Sequence, residues 1–318
     1  MSRAGTKARD TAESPDKAPV SNARATRAQA AAATVAAAEA AKRTLRAKRK
    51  AGLASTDPYS TDNLNLGVND IYAEQIKTAA KQSGFPAQTV AAIISAEAAA
   101  GPDGVWNPNS KNARITGKGK HKKKTGTSAS GLTQFVSGTW IGEGERNGSY
   151  LNGVARGLGY LDKRGKILPN HRQEFLDLRF DPQQSISAAA DYAANNLAAL
   201  RRQELILDET PAALARYAYI MHHEGPGNGP AFLRGDLKVN DDSWQKNIPV
   251  KQRPALLAAA GNDRNIAYRN YMSGYTDRLI DVRRFMIDSD GIDIPATKTL
   301  YREVAKDGGK DGAKPKAK

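Results

Sequence analysis

One carboxylate of this chain stands where a proton-transferring group would be expected. Val90, Ile93, Ile94 and Glu97 are spaced so that all four side chains share one face of a predicted helix. The apolar residues predict that this face is buried and that Glu97 is partly withdrawn from water near the helix C-terminus. Desolvation and the negative end of the helix dipole both favour the protonated carboxylic acid, which is the form that a general acid needs.

The same spacing has a plainer interpretation. A glutamate at the edge of a buried stripe often turns its carboxylate to solvent or pairs it with an arginine. The pattern around Glu97 therefore does not establish catalysis by itself.

Two further candidates for chemistry are Asp103 and the neighbouring pair His222 and His223. Asp103 lies in a Gly-Pro-Asp-Gly segment that is typical of a turn, so no second catalytic carboxylate is expected. The two histidines would suit a metal ion, but the chain has only 4 His and 0 Cys, so no metal and no cofactor is expected.

The elements that must hold these residues are predicted to be helices, and the fold class to be mainly α. Apolar periodicity and Pro and Gly boundaries predict helices over 70–82, 87–100, 185–202, 210–223 and 262–286, with a short helix from about 133. No run of alternating strands is found. Aromatic residues make up 6% of the chain and Ala is abundant, which favours closely packed helices.

The net charge of +15 is concentrated in the tails and one loop. Residues 1–50 hold twelve Lys and Arg against four acids, and residues 111–125 hold seven bases and no acid. We expect a basic, Ala-rich, largely disordered tail over 1–58 with a loosely formed helix from 26, a main domain over 59–240, a helical extension over 241–305 packed on it, and a disordered Lys-rich tail over 306–318.

Three segments in order resemble the motifs of the lysozyme-like lytic transglycosylases. After Glu97 come Asn107–Ser110 (Asn-Pro-Asn-Ser), then Ser128–Phe135 (Ser-Ala-Ser-Gly-Leu-Thr-Gln-Phe) followed by Thr139-Trp140, and then Tyr219–Gly227 (Tyr-Ile-Met-His-His-Glu-Gly-Pro-Gly). The resemblance covers about residues 70–235 and implies a goose-lysozyme or SLT-type helical domain. Ala98 and Thr133 depart from the family pattern, which often has Ser and Met there.

The resemblance also implies roles for single residues. Glu97 matches the general acid/base, Gln134 the glutamine that lines the glycan groove, and Gly131 the glycine that lets the backbone approach the sugar. Either His222 or Tyr219 would stand against the catalytic glutamate, depending on a one-turn register that stays open. The residues expected to bind substrate are Ser128, Ser130, Gly131, Gln134, Tyr219, His222 and His223.

The expected activity is cleavage of the β-1,4 bond between N-acetylmuramic acid and N-acetylglucosamine in peptidoglycan by non-hydrolytic transglycosylation. The alternatives are a hydrolytic muramidase and, from another class, a non-catalytic glycan- or nucleic-acid-binding protein. The basic N-terminal tail would suit an anionic polymer, a membrane surface or a virion or secretion component. No Sec-type signal peptide is recognised, so delivery to the cell wall by a phage or secretion system is expected.

Overall fold

The computed structural model describes residues 20–112, 114–116, 123–125 and 128–302, and these residues are mainly helical, as predicted. The chain divides into two compact units, residues 1–54 and 55–318. In the described residues, no helix is both long enough and apolar enough to cross a bilayer.

The first unit contains one long helix, α1 (Val20–Lys50). It begins before residue 26 and is continuous, whereas the sequence predicted only a loosely formed helix in a disordered tail. Ala, Lys and Arg have high helix propensity, which accounts for the unbroken helix. The predicted disorder of residues 1–19 and of 306–318 lies outside the described residues.

The second unit contains ten further α-helices among its described residues, two short strands and several 3-10 turns. The helices are α2 (Ala73–Ser83), α3 (Ala87–Glu97), α4 (Ser137–Glu145), α5 (Tyr150–Gly157), α6 (Arg172–Asp177), α7 (Pro182–Arg202), α8 (Pro211–Arg234), α9 (Asp241–Asn247), α10 (Arg253–Ala259) and α11 (Arg264–Leu279). The main 3-10 turns are Gly67–Tyr72, Leu178–Phe180, Val282–Phe285 and Thr297–Leu300.

Local sequence explains where the long helices begin. Asp181 accepts a hydrogen bond from the Gln184 backbone N–H and precedes Pro182, the first residue of α7. Thr210 caps α8 in the same way, again before a proline. The geometry of α8 breaks at Gly225, where φ is 79°, and the helix then resumes, so the predicted end at Gly225 is a kink.

Helix α3 lies at the centre of the fold, packed on α2, α7, α8 and the turn Val282–Phe285. The sequence predicted that one face of this helix is buried. The structure buries other faces as well, because Gln88 and Thr89 are as buried as Ile94. Gln88 donates to the Ser60 carbonyl at 2.9 Å and Thr89 to the Pro211 carbonyl at 3.2 Å, so neither polar side chain is left unsatisfied as a donor. The helix ends at Glu97, three residues earlier than predicted, because Ala98 is extended (ψ 121°).

The segment between α3 and α4 contains a two-stranded antiparallel hairpin that the sequence did not predict. Strand β1 (Arg114–Thr116) pairs with β2 (Lys123–Thr125), with Ile115 opposite Lys124. These strands have three residues each, and Ile115 is the apolar residue among the six, so there is no hydrophobic alternation for periodicity to detect.

The C-terminal segment of the second unit is part of the central core. The Ile287 N–H donates to the Asn63 carbonyl at 2.9 Å, and the Asn65 N–H donates to the Phe285 carbonyl at 3.0 Å. Phe285 also packs on Trp106, with ring centroids 6.4 Å apart. The turn Val282–Phe285 thus packs against the same helix that ends in Glu97.

Replacement of Asn63 by Ala should destabilise this junction. The fully buried Asn63 amide donates to the carbonyls of Pro58 and Asp288, at 2.7 and 2.8 Å, and accepts from the Asp288 N–H at 2.7 Å. Loss of these bonds leaves buried backbone groups unpaired, so the free energy of unfolding should fall by about 2–4 kcal/mol in urea titration. The exposed Asn65 is the control, and an equal effect of Asn65→Ala would contradict this reading.

Candidate active site

A cleft of about 510 Å³ brings together Glu97 and two of the three motif segments, those of Gln134 and His222, whereas Asn107–Ser110 does not line it. Its volume is typical of a small-molecule or oligosaccharide site, and polar side chains contribute much of its wall. The lining residues are Glu97, Asn112, Gln134, Phe135, Val136, Thr139, Tyr192, His222, His223, Glu224, Gly225, Pro226 and Asn247.

Glu97 and His222 face each other in this cleft. The His222 Nε2 lies 3.6 Å from the Glu97 Oε1, and the two side chains are 18% and 19% exposed. This separation is slightly longer than a hydrogen bond, and such contacts commonly tighten when a substrate binds. The sequence left open whether His222 or Tyr219 would lie against Glu97. Within the cleft, His222 is the residue that faces Glu97.

Aromatic packing holds the His222 ring in place. Its edge meets the rings of Phe135 and Tyr192, with centroids 5.6 and 6.3 Å away and interplanar angles of 80° and 87°. These contacts restrict rotation of the imidazole. The acid and its neighbour are therefore held in fixed positions by α3 and α8.

Tyr219 lies behind the cleft and does not line it. It is 3% exposed, and its ring lies 6.5 Å from that of Tyr275 and 6.0 Å from that of His223. Burial, and after it the negative charge of Glu97, raises the pKa of Tyr219 above its ordinary value, and Glu224 acts in the same direction. The phenol therefore stays neutral, because its burial and the charges of Glu97 and Glu224 all oppose its ionisation.

Gln134 reaches the cleft from the loop before α4. Its backbone has φ 50°, a left-handed conformation that is uncommon for a residue other than glycine. Its Nε2 donates to the Gly131 carbonyl at 2.7 Å, so the side chain both lines the cleft and braces its own loop.

The other residues predicted from this loop do not line the cleft. Gly131 has φ 77°, and a Cβ there would collide with the Arg179 carbonyl oxygen, so this glycine permits close packing of protein backbone. Ser130 is buried and donates to the Ser128 carbonyl at 3.3 Å, while the Ser128 hydroxyl accepts from the Ser137 N–H at 3.0 Å. Ser128, Ser130 and Gly131 therefore shape the loop, and their predicted contacts with substrate stay predictions.

Arg179 fixes the position of this loop. Its buried guanidinium donates to the carbonyls of Leu176, Ser128 and Phe135, at 2.8, 2.7 and 3.1 Å, and to the Ser137 hydroxyl at 3.3 Å. Four bonds from one rigid cation join the start of the loop, its end and the turn before α7.

Glu224 is a second carboxylate in the cleft, and the sequence analysis did not assign it a role. Its side chain is 6% exposed, and its Oε1 accepts from the Tyr268 hydroxyl at 2.9 Å and lies 3.0 Å from the His223 Nδ1. Asn247 in turn donates to the Tyr268 hydroxyl at 2.8 Å. Because Tyr268 and Asn247 lie 44 and 23 positions further along the chain, no local spacing could have predicted this network.

Two further residues have structural roles. Trp140 is fully buried, packs edge-to-face with Phe135 and at a tilt with Phe175, and donates from its indole nitrogen to the Phe175 carbonyl at 2.8 Å. Asp103 accepts from the Val105 N–H at 3.1 Å within a turn. Trp140 is a core residue, and Asp103 is a turn residue outside the cleft.

Replacement of Arg179 by Met should loosen the loop that carries Gln134 and Phe135. Three backbone carbonyls would lose a charge-assisted donor, and the free energy of unfolding should fall by about 2–4 kcal/mol. Urea titration monitored by tryptophan fluorescence measures this change. Arg172→Met, at an exposed position on α6, should change it by under about 0.5 kcal/mol, and a similar loss in both variants would contradict the assigned role.

Comparison of the chain with protein-family models, with curated proteins and with solved structures finds no match. What the cleft can do chemically is therefore inferred from its own residues and from the sequence motifs that meet there.

Proposed function

We propose that this protein cleaves the glycan strands of peptidoglycan at the β-1,4 bond between N-acetylmuramic acid and N-acetylglucosamine. The observation that carries this proposal is the position of Glu97. It is the last residue of a buried helix, faces the 510 Å³ cleft, and lies beside His222 and opposite the segment of Gln134. Two of the three motif segments, which are far apart along the chain, line this cleft together with Glu97.

We extend the proposal to the fold, as a lysozyme-like domain of the goose-lysozyme or SLT type. Three features support this assignment. The central helix α3 ends in Glu97, the loop after it contains Asn107-Pro108, and α7 and α8 contribute Tyr192 and His222 to the cleft wall. The hairpin β1–β2 would then be an insertion, because it follows Asn112, which lines the cleft, and precedes the loop of Gln134.

In the proposed reaction Glu97 supplies and then recovers one proton. Its carboxylic acid donates to the glycosidic oxygen as the bond to the muramic acid C1 breaks, so N-acetylglucosamine leaves as an alcohol. The substrate's own N-acetyl group stabilises the positive charge at C1. The muramic acid 6-hydroxyl then attacks C1 and returns its proton to the Glu97 carboxylate, which gives a 1,6-anhydro product without water.

Glu224 makes a hydrolytic muramidase the second candidate, because a pair of carboxylates in one cleft is typical of glycosidases. The Oε1 of Glu224, however, already meets the Tyr268 hydroxyl and the His223 imidazole. We therefore propose that Glu224 orients His223 and Tyr268, and that Glu97 transfers the proton in the reaction.

Replacement of Glu97 by Gln should abolish cleavage. The amide keeps the shape of the carboxyl group but cannot deliver a proton, so release of soluble fragments from purified sacculi should fall by roughly 10²–10⁴-fold while binding to the glycan is kept. Turbidity clearing measures the rate, and co-sedimentation with sacculi measures the binding. Glu74→Gln, at a highly exposed position on α2, is the matched control, and clearing by the Glu97 variant at the control's rate would remove Glu97 from the mechanism.

Replacement of Glu224 by Gln separates the two candidate reactions. If Glu224 only orients its neighbours, the variant should lose about ten- to a hundredfold in rate and still release products with 1,6-anhydro ends. A muramidase would release reducing ends, and loss of the water-activating carboxylate would lower its rate about as much as loss of Glu97. Mass spectrometry of the released muropeptides distinguishes these outcomes.

A further inference from the structure

A second, smaller cavity adjoins the cleft on the side of α9 and α11. It has a volume of about 150 Å³ and is lined by His223, Lys246, Asn247, Tyr271, Met272 and Tyr275. His223 and Asn247 line both the cavity and the cleft, so the two spaces meet at these side chains. A cavity of this size suits part of a larger ligand that already occupies the cleft.

Two tyrosines form the aromatic wall of this cavity. Tyr271 and Tyr275 are one helical turn apart on α11, with ring centroids 6.3 Å apart and an interplanar angle of 16°. Tyr219 lies 6.5 Å from Tyr275 and 6.0 Å from His223, so the rings continue from the cavity to the cleft wall. An aromatic face of this kind packs well against the C–H groups of a sugar ring, while its hydroxyl edge stays in contact with water.

Lys246 gives the same cavity a positive charge. Its ammonium lies 2.6 Å from the Asp242 carboxylate, but both side chains are about 70% exposed, at 68% and 71%. An exposed ion pair of this kind is weak, so a ligand carboxylate can replace Asp242 at little cost. Arg278 does not line the cavity but lies over the ring of Tyr275, with its guanidinium 5.8 Å from the ring centre.

We propose that this cavity, which we call the tyrosine subsite, binds a sugar unit of the strand that still carries its stem peptide. The sugar ring lies against Tyr271 and Tyr275, and a carboxylate of the stem peptide meets Lys246. The inference rests on the proposed function, because it takes the ligand of the neighbouring cleft to be a peptidoglycan strand. It assigns to α9 and α11 a preference for strands with peptides over bare glycan.

The test compares soluble glycan strands that carry stem peptides with the same strands stripped by an amidase. Dissociation constants are measured with full-length protein that carries Glu97→Gln, which binds without cutting. KM and kcat are measured with protein that keeps Glu97.

With the subsite intact, the protein should bind peptide-bearing strands more tightly than stripped strands. Lys246→Ala should weaken binding to these strands by about threefold and leave stripped strands unaffected. Tyr271→Ala should weaken binding to both by about three- to tenfold, with the loss in KM and not in kcat.

Two controls keep a general effect on folding apart from loss of the subsite. Lys251→Ala removes an exposed lysine of the same region, and Tyr160→Ala removes a half-buried tyrosine that stacks on His171, away from both cavities. Thermal unfolding should show that all four variants fold. Equal effects of Lys246→Ala on both kinds of strand, or no effect of Tyr271→Ala beyond that of Tyr160→Ala, would overturn the subsite.

Failure of the subsite and failure of the proposed function give different results. Anhydro products from the wild type, with subsite variants that bind like the controls, would overturn the subsite alone. No products from the wild type, with binding that still depends on Tyr271 and Lys246, would overturn cleavage alone. A protein that neither binds nor cuts the strands would overturn both.

Discussion

The cleft depends on the buried guanidinium of Arg179. A guanidinium in the interior is stable only when its donors are paired, and here the partners are three backbone carbonyls and one hydroxyl. These bonds fix the loop before α4 at both ends, and the loop carries Phe135 against His222 and Gln134 into the cleft. The Arg179 carbonyl occupies the space that a side chain at position 131 would need, so the loop requires glycine there. The orientation of His222 towards Glu97 is thus a consequence of hydrogen bonds made behind the cleft.

The acid itself is positioned by a helix that has no solvent-facing side over its first eight residues. Burying Gln88 and Thr89 beside Ile94 would be costly if their donors were unpaired, and the Ser60 and Pro211 carbonyls supply the partners. These contacts determine the rotation and axial position of α3. Glu97 is therefore delivered to the cleft by the packing of a whole helix, and the extended Ala98 leaves its carboxylate at the point where the helix stops. A site on a rigid element is held more accurately than one on a loop.

The sequence predicted most long helices because their signals are local: apolar periodicity, proline at the first turn and glycine near the end. It placed Glu97 near a helix end for the same reason. It failed where the determining partner is distant. The role of Gly131 follows from Arg179, 48 positions away, and the burial of Glu224 follows from Tyr268, 44 positions away. Neither pairing produces a sequence pattern at the spacing of a helical turn. The short hairpin β1–β2 has no alternating pattern to detect.

The boundary that the sequence predicts near residue 240 separates residues that share one cleft. Asn247 lies beyond the boundary and lines the cleft directly, and Tyr268, on α11, holds the carboxylate of Glu224 from behind. Tyr275 on the same helix contacts Tyr219, whose raised pKa reflects burial together with the charge of Glu97. Helix α11 therefore meets the carboxylate of Glu224 directly through the Tyr268 hydroxyl, a donor that stabilises a carboxylate by hydrogen bonding without adding charge. A unit that orients these groups is a functional part of the cleft, and a protein cut at residue 240 would lose the partners of Glu224 along with the wall that carries Tyr271.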